Sequence, residues 1–104
     1  AILIAGKNKN VDTTACRTFI DRLKGIVVAR NYVMLEYDIP EDKLEDACFI
    51  SPGIEAPTIA PLSKEGWHAV KAMTKKTQVN GIMDELYEIG AKGIMVMDIK
   101  NCRL

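Results

Sequence analysis

An α+β fold, a four-stranded antiparallel sheet with two helices on one face, is predicted for most of this chain by three observations. From residue 30 onward the apolar spacing runs alternating, helical, alternating, alternating, helical, alternating. Proline or glycine punctuates the changes, at Pro40, Pro52-Gly53, Pro57, Pro61, Gly66 and Gly90. At 104 residues the chain has room for one core.

The first element is an apolar, strand-like run over residues 1–5, stopped by Gly6 and a polar KNKN turn. A lone strand needs a sheet to join, so this run, with no initiator methionine before it, reads as part of a longer protein. Over residues 12–29, Ala15, Cys16, Phe19, Ile20, Leu23, Ile26 and Val27 recur at spacings of three and four, with Asp12 or Thr13 as N-cap. That predicts an amphipathic helix. Residues 30–38 turn extended, with Val33, Leu35 and Tyr37 alternating with Tyr32, Met34, Glu36 and Asp38, and Pro40 ends the strand. Residues 41–49 gather acids at the start of a short helix, where its dipole favours them. Pro52-Gly53 suits a turn, and residues 58–62 form a second strand between prolines. A loop at 63–66 leads into a third strand over 67–74. Val79, Ile82, Met83, Leu86 and Ile89 lie on one face of a helix over 77–89, with Gly90 as C-cap, and GIMVMD (93–98) supplies the fourth strand. The order from residue 30 is that of a ferredoxin-like βαββαβ unit, preceded by a strand and a connector helix.

Composition narrows the function. Lysine plus arginine equals aspartate plus glutamate at 14 each, so no net field draws in a polyanion, and neither nucleic acid nor a membrane is an expected partner. The apolar runs are too short for a spanning helix and no basic leader precedes the first of them, which points to the cytoplasm. Three scattered cysteines without a CxxC pair, and a single histidine distant from all of them, argue against a disulfide framework and against structural zinc.

Three blocks carry a specific resemblance: YVMLEYDIP (32–40), PGIEAPTIAPL (52–62) and NGIMDELYEIGAKGIMVMDIKNCRL (80–104). Together they resemble the carboxyl-terminal regulatory domain of the long form of ATP phosphoribosyltransferase, the enzyme that opens histidine biosynthesis. The resemblance covers about the last three-quarters of the chain. Residues 1–29 are similar to the end of that enzyme's catalytic region, which implies a boundary between 1–29 and a regulatory domain over 30–104. For the whole enzyme the resemblance implies a glycosyltransferase that condenses ATP with phosphoribosyl pyrophosphate, using Mg2+, to give phosphoribosyl-ATP and pyrophosphate. It places no catalytic residue, metal or cofactor in this part. The implied role here is allosteric feedback inhibition, in which L-histidine binds among regulatory domains and shifts active dimers to inhibited hexamers. The implied partners are L-histidine, the catalytic domain and further copies of the chain.

Within that resemblance, Asp38, Ile54, Thr58, Met73 and Gly93 stand at the L-histidine pocket. Each also has a plainer reading from the residues alone. Asp38 suits a ligand's charged amino group or imidazolium, but it equally suits the cap of the helix after Pro40. Thr58 follows a proline and carries a stiff hydroxyl, yet threonine is also an ordinary strand residue. Ile54 and Met73 fit a pocket wall or a core; Gly93 fits close backbone approach or simple entry into a strand. His68 has no nucleophile in a recognisable motif nearby and is read as structural. Lys71, Lys75 and Lys76 are read as a solvated rim without a role.

Two other functions suit the fold. An acyl-phosphate hydrolase needs a positive cradle after the first strand, where this chain has the acidic DIPED (38–42). An RNA-binding domain needs exposed aromatics in basic surroundings, and the strands offer only Tyr32, Tyr37 and Trp67 without net positive charge.

Overall fold

A computed structural model describes residues 13–104. The expected strand at 1–5, its KNKN turn and the Asp12 cap lie outside the described residues. The helical spacing is realised as α1, Thr13–Asn31, of which only Gly25 and Ala29 are buried. Phe19, Ile20, Ile26 and Val27 are between 38% and 55% exposed. The helix therefore forms as its periodicity predicts, while its apolar stripe meets solvent. It also stands off the sheet: the Cα radius of gyration is 18.6 Å, against about 13 Å for a compact chain of this length. Near its end the Cys102 N–H donates to the Gly25 carbonyl at 3.1 Å, which ties the tail to the helix.

Strand β1, Tyr32–Pro40, alternates half-buried and buried residues along its whole length. A 3₁₀ turn, Glu41–Lys43, and helix α2, Leu44–Ile50, together make up the short acidic helix. Gly53 takes the positive φ, 72°, that the Pro52-Gly53 turn requires. Strands β2, Thr58–Pro61, and β3, Trp67–Lys75, form a hairpin whose loop is closed by the Leu62 N–H donating to the Trp67 carbonyl at 3.0 Å. Helix α3, Val79–Glu88, ends in a Schellman cap: the Gly90 N–H donates to Tyr87 and the Ala91 N–H to Leu86. Strand β4, Lys92–Asp98, follows at once.

The sheet order is β2-β3-β1-β4 and every pairing is antiparallel, which is the ferredoxin-like arrangement. Val33, Leu35, Tyr37 and Ile39 of β1 pack with Val70 of β3, Ala47 of α2, and Val79 and Leu86 of α3. Apolar area buried at about 25 cal/mol per Å² drives this assembly, and it leaves the opposite face of the sheet open. Strand β4 is an edge strand, with Met95, Val96 and Met97 between 38% and 53% exposed in the single chain.

Candidate functional site

The period-two geometry of β1 decides which residues can meet. Because successive side chains point to opposite faces, burial of Val33, Leu35, Tyr37 and Ile39 sends Met34, Glu36 and Asp38 to the open face. The register then sets rows across it: Asp38 lies opposite Ala69, which lies opposite Ala60, and Glu36 lies opposite Lys71, which lies opposite Thr58. On the other side of β1 the pairing slips, from Glu36 opposite Met95 to Asp38 opposite Lys92. The extra residue in β4 is a bulge, and Gly93 occupies it at φ 61°, a left-handed conformation that β-bulges commonly give to glycine. A Cβ there would stand 3.8 Å from Asp38 Oδ2.

These rows enclose a cavity of about 430 Å³ on the open face, lined by Glu36, Asp38, Thr58, Lys71, Gly93 and Met95 among others. The volume falls within the range of small-molecule sites. The half-buried Asp38 carboxylate and the Thr58 hydroxyl have no hydrogen-bond or ion-pair partner among the described residues, whereas Lys71 Nζ lies 3.1 Å from Glu36 Oε1. Asp38 does not cap a helix. The cap positions are Pro40 for the 3₁₀ turn and Lys43 for α2, and neither makes a side-chain cap bond.

Three of the five expected residues, Asp38, Thr58 and Gly93, thus share one cavity. Ile54 and Met73 line an adjoining hollow of about 380 Å³, which Thr58 and Lys71 border as well. A larger hollow of about 570 Å³ lies between α1 and the tail, away from all five residues. The polar groups without a partner among the described residues, not its size, set the first cavity apart.

Beneath the sheet a buried bond network fixes the approach to this cavity. Tyr37 Oη and Ser51 Oγ are 2.6 Å apart, and Ser51 Oγ donates to the Ala47 carbonyl at 3.0 Å. Ser51 opens the loop that carries Ile54 and leads into β2 at Thr58, so the strand bearing Asp38 and the start of this loop share an anchor. Burial pushes the Tyr37 phenol up from its usual range, against the Ser51 hydrogen bond, and Cys48 adds to the rise. Sequence reasoning missed this anchor and the part of Lys71 in the cavity. The alternation of Ala69, Lys71 and Met73 marks one face, but only the pairing shows what that face meets. His68 lies on the other face of β3, opposite Ile39 and Pro61, and its buried Nδ1 has no partner among the described residues.

The family described as "HisG, C-terminal domain" matches residues 29–101. The chain belongs to the HisG C-terminal domain family. All five residues of the expected pocket fall inside the matched span. The ATP phosphoribosyltransferase of Salinibacter ruber is 50% identical over 104 residues, covering 100% of this chain and 37% of the relative. Those of Salinispora tropica and Mycobacterium tuberculosis are 53% identical over 83 residues and 46% over 105, covering 30% and 37% of their own lengths. The chain thus spans about a third of the length of these relatives. Among the described residues no three of His, Cys, Asp and Glu gather as a metal site would need. No helix among them is long and apolar enough to cross a membrane.

Proposed function

We propose that this chain is the regulatory end of an ATP phosphoribosyltransferase and that its open sheet face binds L-histidine as a feedback inhibitor. The observation that carries this reading is the convergence of an unpaired Asp38 carboxylate and an unpaired Thr58 hydroxyl on one cavity beside the Gly93 bulge. A fixed carboxylate suits the ammonium of a free amino acid, a threonine hydroxyl suits its other polar end, and a Cβ at position 93 would come into ordinary contact with Asp38 Oδ2 at 3.8 Å. Ile54 and Met73 extend the wall on the Thr58 side.

The rest of the proposal concerns the whole protein. The catalytic portion condenses ATP with phosphoribosyl pyrophosphate to give phosphoribosyl-ATP and pyrophosphate, the first step of histidine biosynthesis in the cytoplasm. On this reading the Mg2+ that the reaction uses belongs with that portion. The boundary falls between 1–29 and 30–104, a division supported by a family match that begins at residue 29. Inhibition is a linkage: histidine lowers activity by as much as it binds the inhibited assembly, a hexamer, better than the active dimer. The exposed Met95 and Met97 beside the cavity favour a site that a second copy covers.

Titration of the full-length protein with L-histidine, read by calorimetry and sedimentation, tests this. Saturable heat with a shift to the larger assembly is expected, and Asp38→Asn should weaken binding by about tenfold or more, the worth of a charge-assisted bond. Thr58→Ala should weaken it less. No saturable heat with histidine, alongside binding of an unrelated metabolite, refutes the reading.

A further inference from the structure

The cavity lining holds two carboxylates, Asp38 and Glu36, but only one ammonium, Lys71. A free amino acid is a zwitterion, so a site that meets its ammonium with Asp38 must also meet its carboxylate. On the reading proposed above, on which this inference rests, Lys71 is the one cation lining this cavity among the described residues, while Arg103 borders only the adjoining hollow beside Ile54 and Met73. Its Nζ is paired with Glu36 at 3.1 Å, with the lysine side chain 53% exposed and the glutamate 27%. A cross-strand pair this exposed is weakly held. The register puts Thr58, Lys71 and Glu36 in a single row, with Asp38 two residues further along β1 from Glu36. That is about 7 Å along the strand, a separation that one α-amino acid hydrogen-bonded at both ends can span.

We infer that Lys71 is a specificity residue of this site, exchanging Glu36 for the α-carboxylate of the ligand when it binds. Glu36 is then both the placeholder and a selector. In the free protein it keeps the lysine ammonium over the cavity floor and competes for it with any incoming carboxylate. Once displaced, it adds a second negative charge beside the ligand, which disfavours amino acids with acidic side chains and tolerates neutral or cationic ones.

The test is calorimetric titration of the full-length protein with L-histidine and with L-histidinamide, in which a neutral amide replaces the carboxylate. Lys71→Met should weaken L-histidine by about tenfold or more and leave the amide within about twofold, while Lys71→Arg restores most of the L-histidine affinity. Glu36→Gln removes the competitor and should tighten L-histidine by about threefold, on the scale of a weak surface pair, without moving the amide. Equal effects of Lys71→Met on both ligands, or weaker L-histidine binding in Glu36→Gln, overturn the inference. Its failure is separable from that of the site: if Asp38→Asn weakens L-histidine while Lys71→Met does not, the inference alone falls. If the wild-type protein binds no L-histidine, the reading beneath it falls too.

Discussion

Tyr37 and Asp38 are neighbours in the chain but serve opposite faces of one strand. Asp38 looks into the open cavity, while the Tyr37 hydroxyl is sealed beneath the sheet against Ser51 and the Ala47 carbonyl. Tyr37→Phe removes that anchor but leaves Ser51 bonded to Ala47, so the expected cost is about 1 kcal/mol, measured by denaturant unfolding. The same phenol makes stability depend on pH. Because burial raises its folded pKa above the ordinary value, the native chain holds its proton after the unfolded chain has released it. The contribution is complete below about pH 10 and is lost as pH rises through the folded value. Stability of the wild type should therefore fall more steeply as pH rises above about 10 than that of Tyr37→Phe. Parallel curves for the two proteins would show that this phenol has no share in the loss.

Among the elements, α3 shows most directly how local chemistry positions the site. Its Schellman cap turns the chain through Gly90, at φ 102°, straight into β4 and the Gly93 bulge. No atom lies within 4 Å of a Cβ built at Gly90, so Gly90→Ala tests backbone strain alone. The expected loss is about 1 kcal/mol by denaturant unfolding, with L-histidine affinity weakened only if the bulge moves with the cap. An unchanged midpoint would mean that the cap tolerates a side chain in the left-handed region. Strand β1 is the other organising element: its alternation predicts both the core and the open face, and the observed burial follows it residue by residue.

Taken whole, the molecule has a packed sheet-and-helix body and a helix that keeps its apolar side in water. Phe19 and Val27 of α1 are 49% and 55% exposed, more apolar surface than a helix of a finished core leaves open. Their replacement by glutamate should leave the melting temperature of this chain within about 2 °C, because neither supports the core. The same double variant should reduce concentration-dependent association in sedimentation. A large fall in melting temperature would instead make the stripe part of the folding unit.

Periodicity and punctuation were enough to predict the order of the elements from residue 30 onward, because a strand that buries one face and a helix that buries one stripe must write those periods into the chain. The family was suggested separately, by the resemblance of three blocks of specific residues. What they could not convey was partnership across strands. Lys71 reads as rim until the register sets it between Glu36 and Thr58. Gly93 fits close backbone approach or entry into a strand from the sequence, and the slip in pairing makes it a bulge beside Asp38. Pairing and register arise from the whole set of contacts that closes the sheet, so only the tertiary structure decided which side chains share the cavity.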